Sequence, residues 1–141
     1  MIHYSNTKDI PDAQLRALYE SVGWTAYTEE FEDLAILLNN TQLVYTAWNA
    51  EELVGLIRTI GDGVYIQYIQ DILVKPDFQR RGIGTELLQR VLSESNHIRQ
   101  VILTTGSGPE DKSVRDWYKE QGLTEFRDAE LAGFTRLDHP S

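Results

Sequence analysis

The sequence predicts an α+β fold, a mixed and mostly antiparallel sheet with helices on both faces. Three observations carry that prediction. The hydrophobic patterns run helix, helix, three strands, helix, strand, helix, strand, strand. The first three strands are joined by short turn signals, which implies antiparallel hairpins. One strand–helix–strand step, from Val74 to Val101, implies a parallel crossover.

The first helix is expected from Pro11 to Val22. Pro11 suits the first helical position, Leu15, Leu18, Tyr19 and Val22 fall on one face, and Gly23 stops the run. A second helix is expected from Thr28, with Glu29 and Glu30 favourably placed against the helix dipole. Phe31, Leu34, Ala35 and Leu38 would form its buried stripe, and Asn39-Asn40 its end. Leu43 to Asn49 and Leu53 to Ile60 read as a hairpin about the turn Ala50-Glu51-Glu52. Gly61-Asp62-Gly63 leads into a strand from Val64 to Val74, closed by Pro76, which cannot donate to a ladder. Gly82 to Glu94 is helical, with Ile83, Leu87, Leu88, Val91 and Leu92 on one face. Val101 to Thr105 is a short strand, and Asp111 to Gln121 a helix capped by Gly122. Leu123 to Arg127 and Leu131 to Leu137 read as a closing strand pair.

With 141 residues, 41% hydrophobic and 25% charged, the chain reads as one domain, 1–141, able to build its own core. No apolar run approaches the roughly 20 residues that span a bilayer. The opening Met1-Ile2-His3-Tyr4 lacks the basic and apolar regions of a signal peptide. Cysteine is absent, which excludes disulfides, thiolate metal sites and a cysteine nucleophile, and suits the cytoplasm. His3, His97 and His139 are scattered without metal spacing, so no metal site is expected. The net charge of −9 divides into −7 over residues 1–63 and −2 over 64–141. That acidity argues against nucleic-acid partners and would attract cationic small molecules, although it also serves solubility alone.

The chemically informative stretch runs from Asp71 through Gln79, Arg80, Arg81, Gly82, Ile83 and Gly84 to Thr85. A strand ends, a short loop follows, and a helix begins at two glycines. Glycines let backbone approach a ligand closely. The first helical amides lack intrahelical partners and sit at the positive end of the helix dipole, which suits a phosphate. Arg80 and Arg81 add positive charge. Other phosphate motifs fail: no GxxxxGK run exists, and neither Gly82-Ile83-Gly84 nor Gly106-Ser107-Gly108 has the third glycine of a dinucleotide fingerprint.

This stretch resembles the acetyl-CoA loop of the GNAT superfamily of N-acetyltransferases, whose pattern is Gln/Arg-x-x-Gly-x-Gly/Ala. Trp117-Tyr118-Lys119-Glu120-Gln121-Gly122-Leu123, roughly 35 residues later, resembles the family's Phe-Tyr-x-Lys-x-Gly-Phe element. The likeness runs in order over about residues 40–127, and it implies a small single-domain enzyme with 6–7 strands and about four helices. It implies that amides from Arg80 to Thr85 hold the pyrophosphate, Gln79 included in the loop, and that the edge of Ile72, Leu73 and Val74 pairs with the pantetheine arm. An amide near Val74 would polarise the thioester carbonyl. The family splays this strand from its neighbour, and the polar Gln70 and Asp71 are compatible with an irregularity there.

Tyr118 aligns with a tyrosine that protonates the departing thiolate in many members, against the alternative of a core aromatic. Asp111 stands where relatives often carry a cofactor-bonding Asn. As a carboxylate it is acceptor-only, so Ser113 could substitute, or Asp111 could simply cap the helix. Without a cysteine the substrate amine must attack directly, and Asp71 is the candidate base, or else a satisfied strand carboxylate. Trp24 and Tyr27, in the loop after a leader resembling small bacterial and plastid members that include arylalkylamine acetylators, could hold an aromatic ring or a cation, or anchor the helices. The resemblance thus implies acetyl transfer from acetyl-CoA to a primary amine of a small molecule. A peptide amine as acceptor, or a CoA-binding regulator without turnover, stay open. Closing strands often pair between subunits in this family, so a homodimer stays open too.

Overall fold

The computed structural model describes residues 1–137; His139 lies outside them. Two compact units divide the chain, Met1–Leu103 and a second beginning at Thr104.

In the first unit five strands stand side by side in chain order: β1 (Ile2–Ser5), β2 (Leu43–Asn49), β3 (Glu52–Gly61), β4 (Ile66–Val74) and β5 (Gln100–Ile102). Neighbours from β1 to β4 are antiparallel, and β4–β5 is parallel. The mixed, mostly antiparallel sheet follows the sequence reading. β1 does not, since four residues with little apolar alternation give no strand signal. The helices of this unit are α1 (Asp12–Ser21), α2 (Ala26–Glu30), α3 (Ala35–Asn39) and α4 (Ile83–Glu94).

In α1, Leu15, Leu18 and Tyr19 are fully buried. Pro11 stands just outside the helix, its carbonyl accepting from Gln14 and Leu15. Gly23, at φ 78°, ends the turn as Trp24 N–H donates to the Tyr19 carbonyl at 3.0 Å. The single second helix expected from Thr28 is instead two short ones. Arg16 explains the break: its guanidinium donates to the carbonyls of Thr28, Phe31 and Glu32 at 2.9, 3.1 and 2.9 Å. Asp12 accepts from Leu34 N–H at 2.7 Å. These bonds satisfy backbone groups that a continuous helix would have paired internally.

Asn49 pairs with Glu52, leaving Ala50 and Glu51 as a two-residue hairpin turn with Ala50 at φ 53°. β4 begins two residues later than expected because the Asp62 carboxylate takes the amides of Val64, Tyr65 and Ile66.

Leu15, Leu18, Tyr19, Leu34 and Leu38 pack with Val44, Leu53, Leu56 and Leu73 on one face of the sheet. On the other, α4 buries Ile83, Leu87, Leu88 and Val91. Gly55 allows α4 its close approach. A Cβ there would lie 3.1 Å from Ile83 Cγ2 and 3.2 Å from Leu87 Cδ1. Each such fully buried aliphatic side chain contributes about 1.5–3 kcal/mol.

The second unit holds α5 (Lys112–Glu120), which ends at Gly122 (φ 98°) as Leu123 N–H donates to the Tyr118 carbonyl. The closing strand pair is not formed, so the described residues hold five strands and five helices rather than 6–7 strands and about four helices. Phe126–Ala129 is a 3-10 turn. There the amides of Asp128, Ala129, Glu130 and Leu131 bond to Glu125, Arg127 and Phe126, which removes them from any hairpin ladder.

Candidate active site

β4 carries two irregularities within a few residues of each other. Its pairing with β5 covers only Ile66, Gln67 and Tyr68. Beyond Tyr68 the strand runs on to Val74 while β5 ends at Ile102, so this stretch of β4 has no β5 partner. On the other side, Arg58 faces Asp71 but Thr59 faces Ile69, so Gln70 is an extra residue, a β-bulge. The irregularity anticipated at Gln70 and Asp71 is this bulge. Ile72, Leu73 and Val74 then pair with Ile57, Leu56 and Gly55.

The strand passes into the loop through a 3-10 turn at Pro76–Phe78. Gln79 folds back, its Nε2 donating to the Val74 carbonyl at 2.9 Å. The glutamine thereby ties the loop to the strand end. Arg80, Arg81 and Gly82 are exposed, with the Arg81 guanidinium 5.1 Å from the centre of the Phe78 ring. Arg80 (φ 63°) and Gly82 (φ 81°) are both left-handed, and Gly82 is the N-cap of α4. The first backbone bond of α4 runs from Glu86 N–H to the Gly82 carbonyl, which leaves Ile83 and Gly84 ahead of it. A Cβ on Gly82 would meet no atom within 4 Å. An open approach, left-handed backbone and early helical amides fit an anionic phosphate. Thr85 is half-buried in the first turn.

Asp71 sits at the centre of a buried polar network. Its Oδ2 accepts from Arg58 Nε at 2.6 Å and from the Tyr19 hydroxyl at 2.9 Å. Its Oδ1 accepts from the Tyr27 hydroxyl at 3.4 Å. The Tyr27 oxygen in turn accepts from Arg58 Nη2 at 2.9 Å and Gln70 Nε2 at 3.2 Å. Burial raises the Tyr19 phenol well above its ordinary value, and the Asp71 charge adds to that. For Arg58, burial opposes the charge, but Asp71 and the two tyrosines outweigh it and hold the guanidinium above its usual value.

The structure therefore brings Asp71 and Tyr27 together, with Arg58 and Tyr19, which the sequence reading did not single out as functional. Arg58 left a signal, the lone charge in the apolar run from Leu53 to Ile60. Tyr19 left none beyond its place on the stripe of α1. The Tyr27 ring already carries Arg58 at 5.4 Å and meets Tyr19 edge-on at 5.2 Å. Its cation–π seat is taken from within the chain. Trp24 is 44% exposed beyond α1.

In the second unit Tyr118 lies half-buried on α5, 4.9 Å from the Trp117 ring centre. Burial raises its phenol above the ordinary value. Asp111 occupies the N-cap position of α5 but makes no side-chain cap bond; its carboxylate lies against Gly106, where a Cβ would collide with it. Ser113 is exposed. Arg115 clamps the carbonyls of Gly106 and Gly108, both at 2.8 Å.

Among the described residues no helix is long and apolar enough to cross a membrane, and no group of three or more His, Cys, Asp or Glu side chains could hold a metal ion.

Comparison with known proteins gives this geometry a setting. A GNAT-family acetyltransferase of Streptococcus pneumoniae superposes with a TM-score of 0.82 at 27% identity, covering 99% of this chain and 100% of that one. An aminoglycoside acetyltransferase from an uncultured soil metagenomic sample, in complex with sisomicin, shares the fold at a TM-score of 0.70 and 22% identity, covering 100% and 95%. The N-acetyltransferase ycf52 of Porphyra purpurea, itself uncharacterized, is 25% identical over 126 residues, 86% of this chain and 70% of its own length. The acetyltransferase (GNAT) domain family matches residues 34–131. With the glycine loop, the bulged strand and this match in agreement, the chain belongs to the GNAT acetyltransferase family and is an acyltransferase enzyme.

Proposed function

We propose that the chain transfers the acetyl group of acetyl-CoA to the primary amine of a small molecule, by direct attack of the amine on the thioester. The observation that carries this reading is the start of α4, where Gly82 is left-handed and open and the exposed Arg80 and Arg81 stand beside it. Arg80 to Thr85 would hold the pyrophosphate, with Gln79 fixing the loop. Ile72, Leu73 and Val74 would take the pantetheine arm along the stretch of β4 that β5 leaves unpaired. Acetyl-CoA supplies the activated acyl group as cosubstrate. The family resemblance assigns Tyr118 to the leaving thiolate, and Asp111 or Ser113 to the cofactor. A phenol is protonated at neutral pH, as a donor to the leaving thiolate must be, and burial moves that of Tyr118 further in the same direction. Asp71 would accept the amine proton at Oδ1, the oxygen held only by the 3.4 Å contact with Tyr27. Trp24 and Tyr27 would face the acceptor.

A small-molecule amine is supported by the sisomicin complex of the fold neighbour and by the acidity of residues 1–63. The same reading makes residues 1–141 one acetyltransferase domain of the cytoplasm, without nucleic-acid or membrane partners; the family match from 34 to 131 spans both compact units. Exposed Leu131, Phe134 and Leu137 support a homodimer. The test is thiol release from acetyl-CoA over a panel of arylalkylamines, polyamines, aminoglycosides and a peptide N-terminus. Turnover on a small amine is expected. Binding of CoA without thiol release on any amine refutes the reading.

A further inference from the structure

We propose that Arg58 is a positioning residue for the acceptor amine, fixing the Tyr27 hydroxyl against the β4 bulge. The inference rests on the acetyl-transfer reading above and deepens it on the acceptor side. Arg58 is the lone charge in a strand run that is otherwise apolar, and only 6% of its side chain is exposed. A buried ion pair is a weak source of stability, because the loss of hydration offsets the attraction. What this one does is geometric. Nε holds the Asp71 carboxylate at 2.6 Å, while Nη2 of the same planar group holds the Tyr27 oxygen at 2.9 Å. One rigid fork thus joins the bulged strand to the segment after α1.

That segment needs such a tie. α2 buries none of its own residues. Besides the packing of the half-buried Tyr27 and Phe31 on the core, it is held by side-chain bonds: Arg16 on the carbonyls of Thr28, Phe31 and Glu32, and Arg58 on Tyr27. The fork also determines where the Tyr27 proton goes. With Arg58 and Gln70 both donating to its oxygen, the hydroxyl is left to donate to Asp71 Oδ1. Gln70, the unpaired residue of the bulge, is exposed and oriented by the same oxygen. The bulge lies two residues past the last β4–β5 pair, where β4 begins to run without its parallel neighbour. An acceptor approaching this edge meets Tyr27 and Gln70 in one fixed arrangement.

Arg58→Lys separates this role from a structural one. A lysine is a single point charge that can keep the Asp71 pair but lacks the fork needed to hold Tyr27 as well. The expected result is an acceptor KM raised about tenfold, the effect of losing one charge-assisted hydrogen bond. The affinity for acetyl-CoA should not change. Tyr27→Phe should raise KM similarly, and Arg58→Lys with Tyr27→Phe should be no worse than either alone. By hydrogen exchange, the Glu29 and Phe31 amides, which bond to Thr25 and Tyr27, should lose about tenfold in protection while the β2–β4 amides keep theirs. If the wild type turns over an amine and Arg58→Lys matches it in acceptor KM and in protection, the inference is overturned alone. Equal losses of acceptor and acetyl-CoA affinity, or additive effects in the double variant, assign Arg58 to stability and overturn it too. A wild type that releases no thiol with any amine sinks the acetyl-transfer reading and the acceptor role with it.

Discussion

Gly82 is where backbone conformation and proposed chemistry can be separated by one substitution series. At φ 81° and ψ 5° an L-residue costs about 1–2 kcal/mol through the clash of its Cβ with the following carbonyl. No steric cost adds, because a Cβ there meets nothing within 4 Å. At about 2–4 °C per kcal/mol for a chain near this size, Gly82→Ala should lower the melting midpoint by about 2–8 °C. Gly82→Trp should carry the same backbone cost, since its Cβ is as free as that of alanine. Ligand binding should distinguish the two. If amides at the start of α4 hold the pyrophosphate, a Trp that denies access to two of them removes two charge-assisted hydrogen bonds. At about 1.5–3 kcal/mol each, that raises the acetyl-CoA Kd by about 10²–10⁴. Alanine should lose far less. Calorimetric titration gives Kd directly, and thermal shift gives an independent reading, since acetyl-CoA at about 100 Kd stabilises the wild type by about 2.7 kcal/mol. A folded Gly82→Trp protein with wild-type affinity would refute the assignment of the site.

Further outcomes follow from other parts of the molecule. Tyr118→Phe should lower kcat at least tenfold with acetyl-CoA affinity retained; steady-state kinetics on the best amine checks this, and a normal kcat makes the residue a packing group. Leu87→Ala, at a fully buried position of α4 over Gly55, should destabilise by about 2–5 kcal/mol in urea unfolding. Asp62, held below the usual carboxylate range by the amides of Tyr65, Val64 and Ile66, is more acidic folded than unfolded. Its contribution is therefore present above the unfolded value near pH 4 and is lost as the pH falls through the lower folded value. Urea midpoints of wild type and Asp62→Ala should differ at pH 7 and draw together as the pH falls below about 4.

The elements that were legible in the sequence are those whose signals are local. α1, α4 and α5 show apolar residues at helical spacing and end at Gly23, Ser95 and Gly122 or just before them; β2, β3 and most of β4 are apolar runs bounded by turn residues. The glycine loop was legible for the same reason, since the left-handed backbone at Gly82 and the first amides of α4 belong to consecutive residues. The bulge of β4 left only a trace, the polar pair Gln70 and Asp71.

The tertiary structure decided what depends on residues far apart in the chain. The second helix breaks in two because Arg16 and Asp12, a dozen or more residues earlier, bond to its backbone. The closing strands are absent because the amides after Glu125 close on themselves in a turn, a choice that apolar periodicity does not encode. Arg58 and Asp71 meet because a one-residue bulge sets the register between β3 and β4, and Tyr19 and Tyr27 join them from α1 and α2. Sequence alone determined the family, the order of the main elements and the place of the glycine loop, because each is written in neighbouring residues. Which polar groups share a buried site was left to the packing of strands and helices, because only that packing brings their charges within hydrogen-bonding distance.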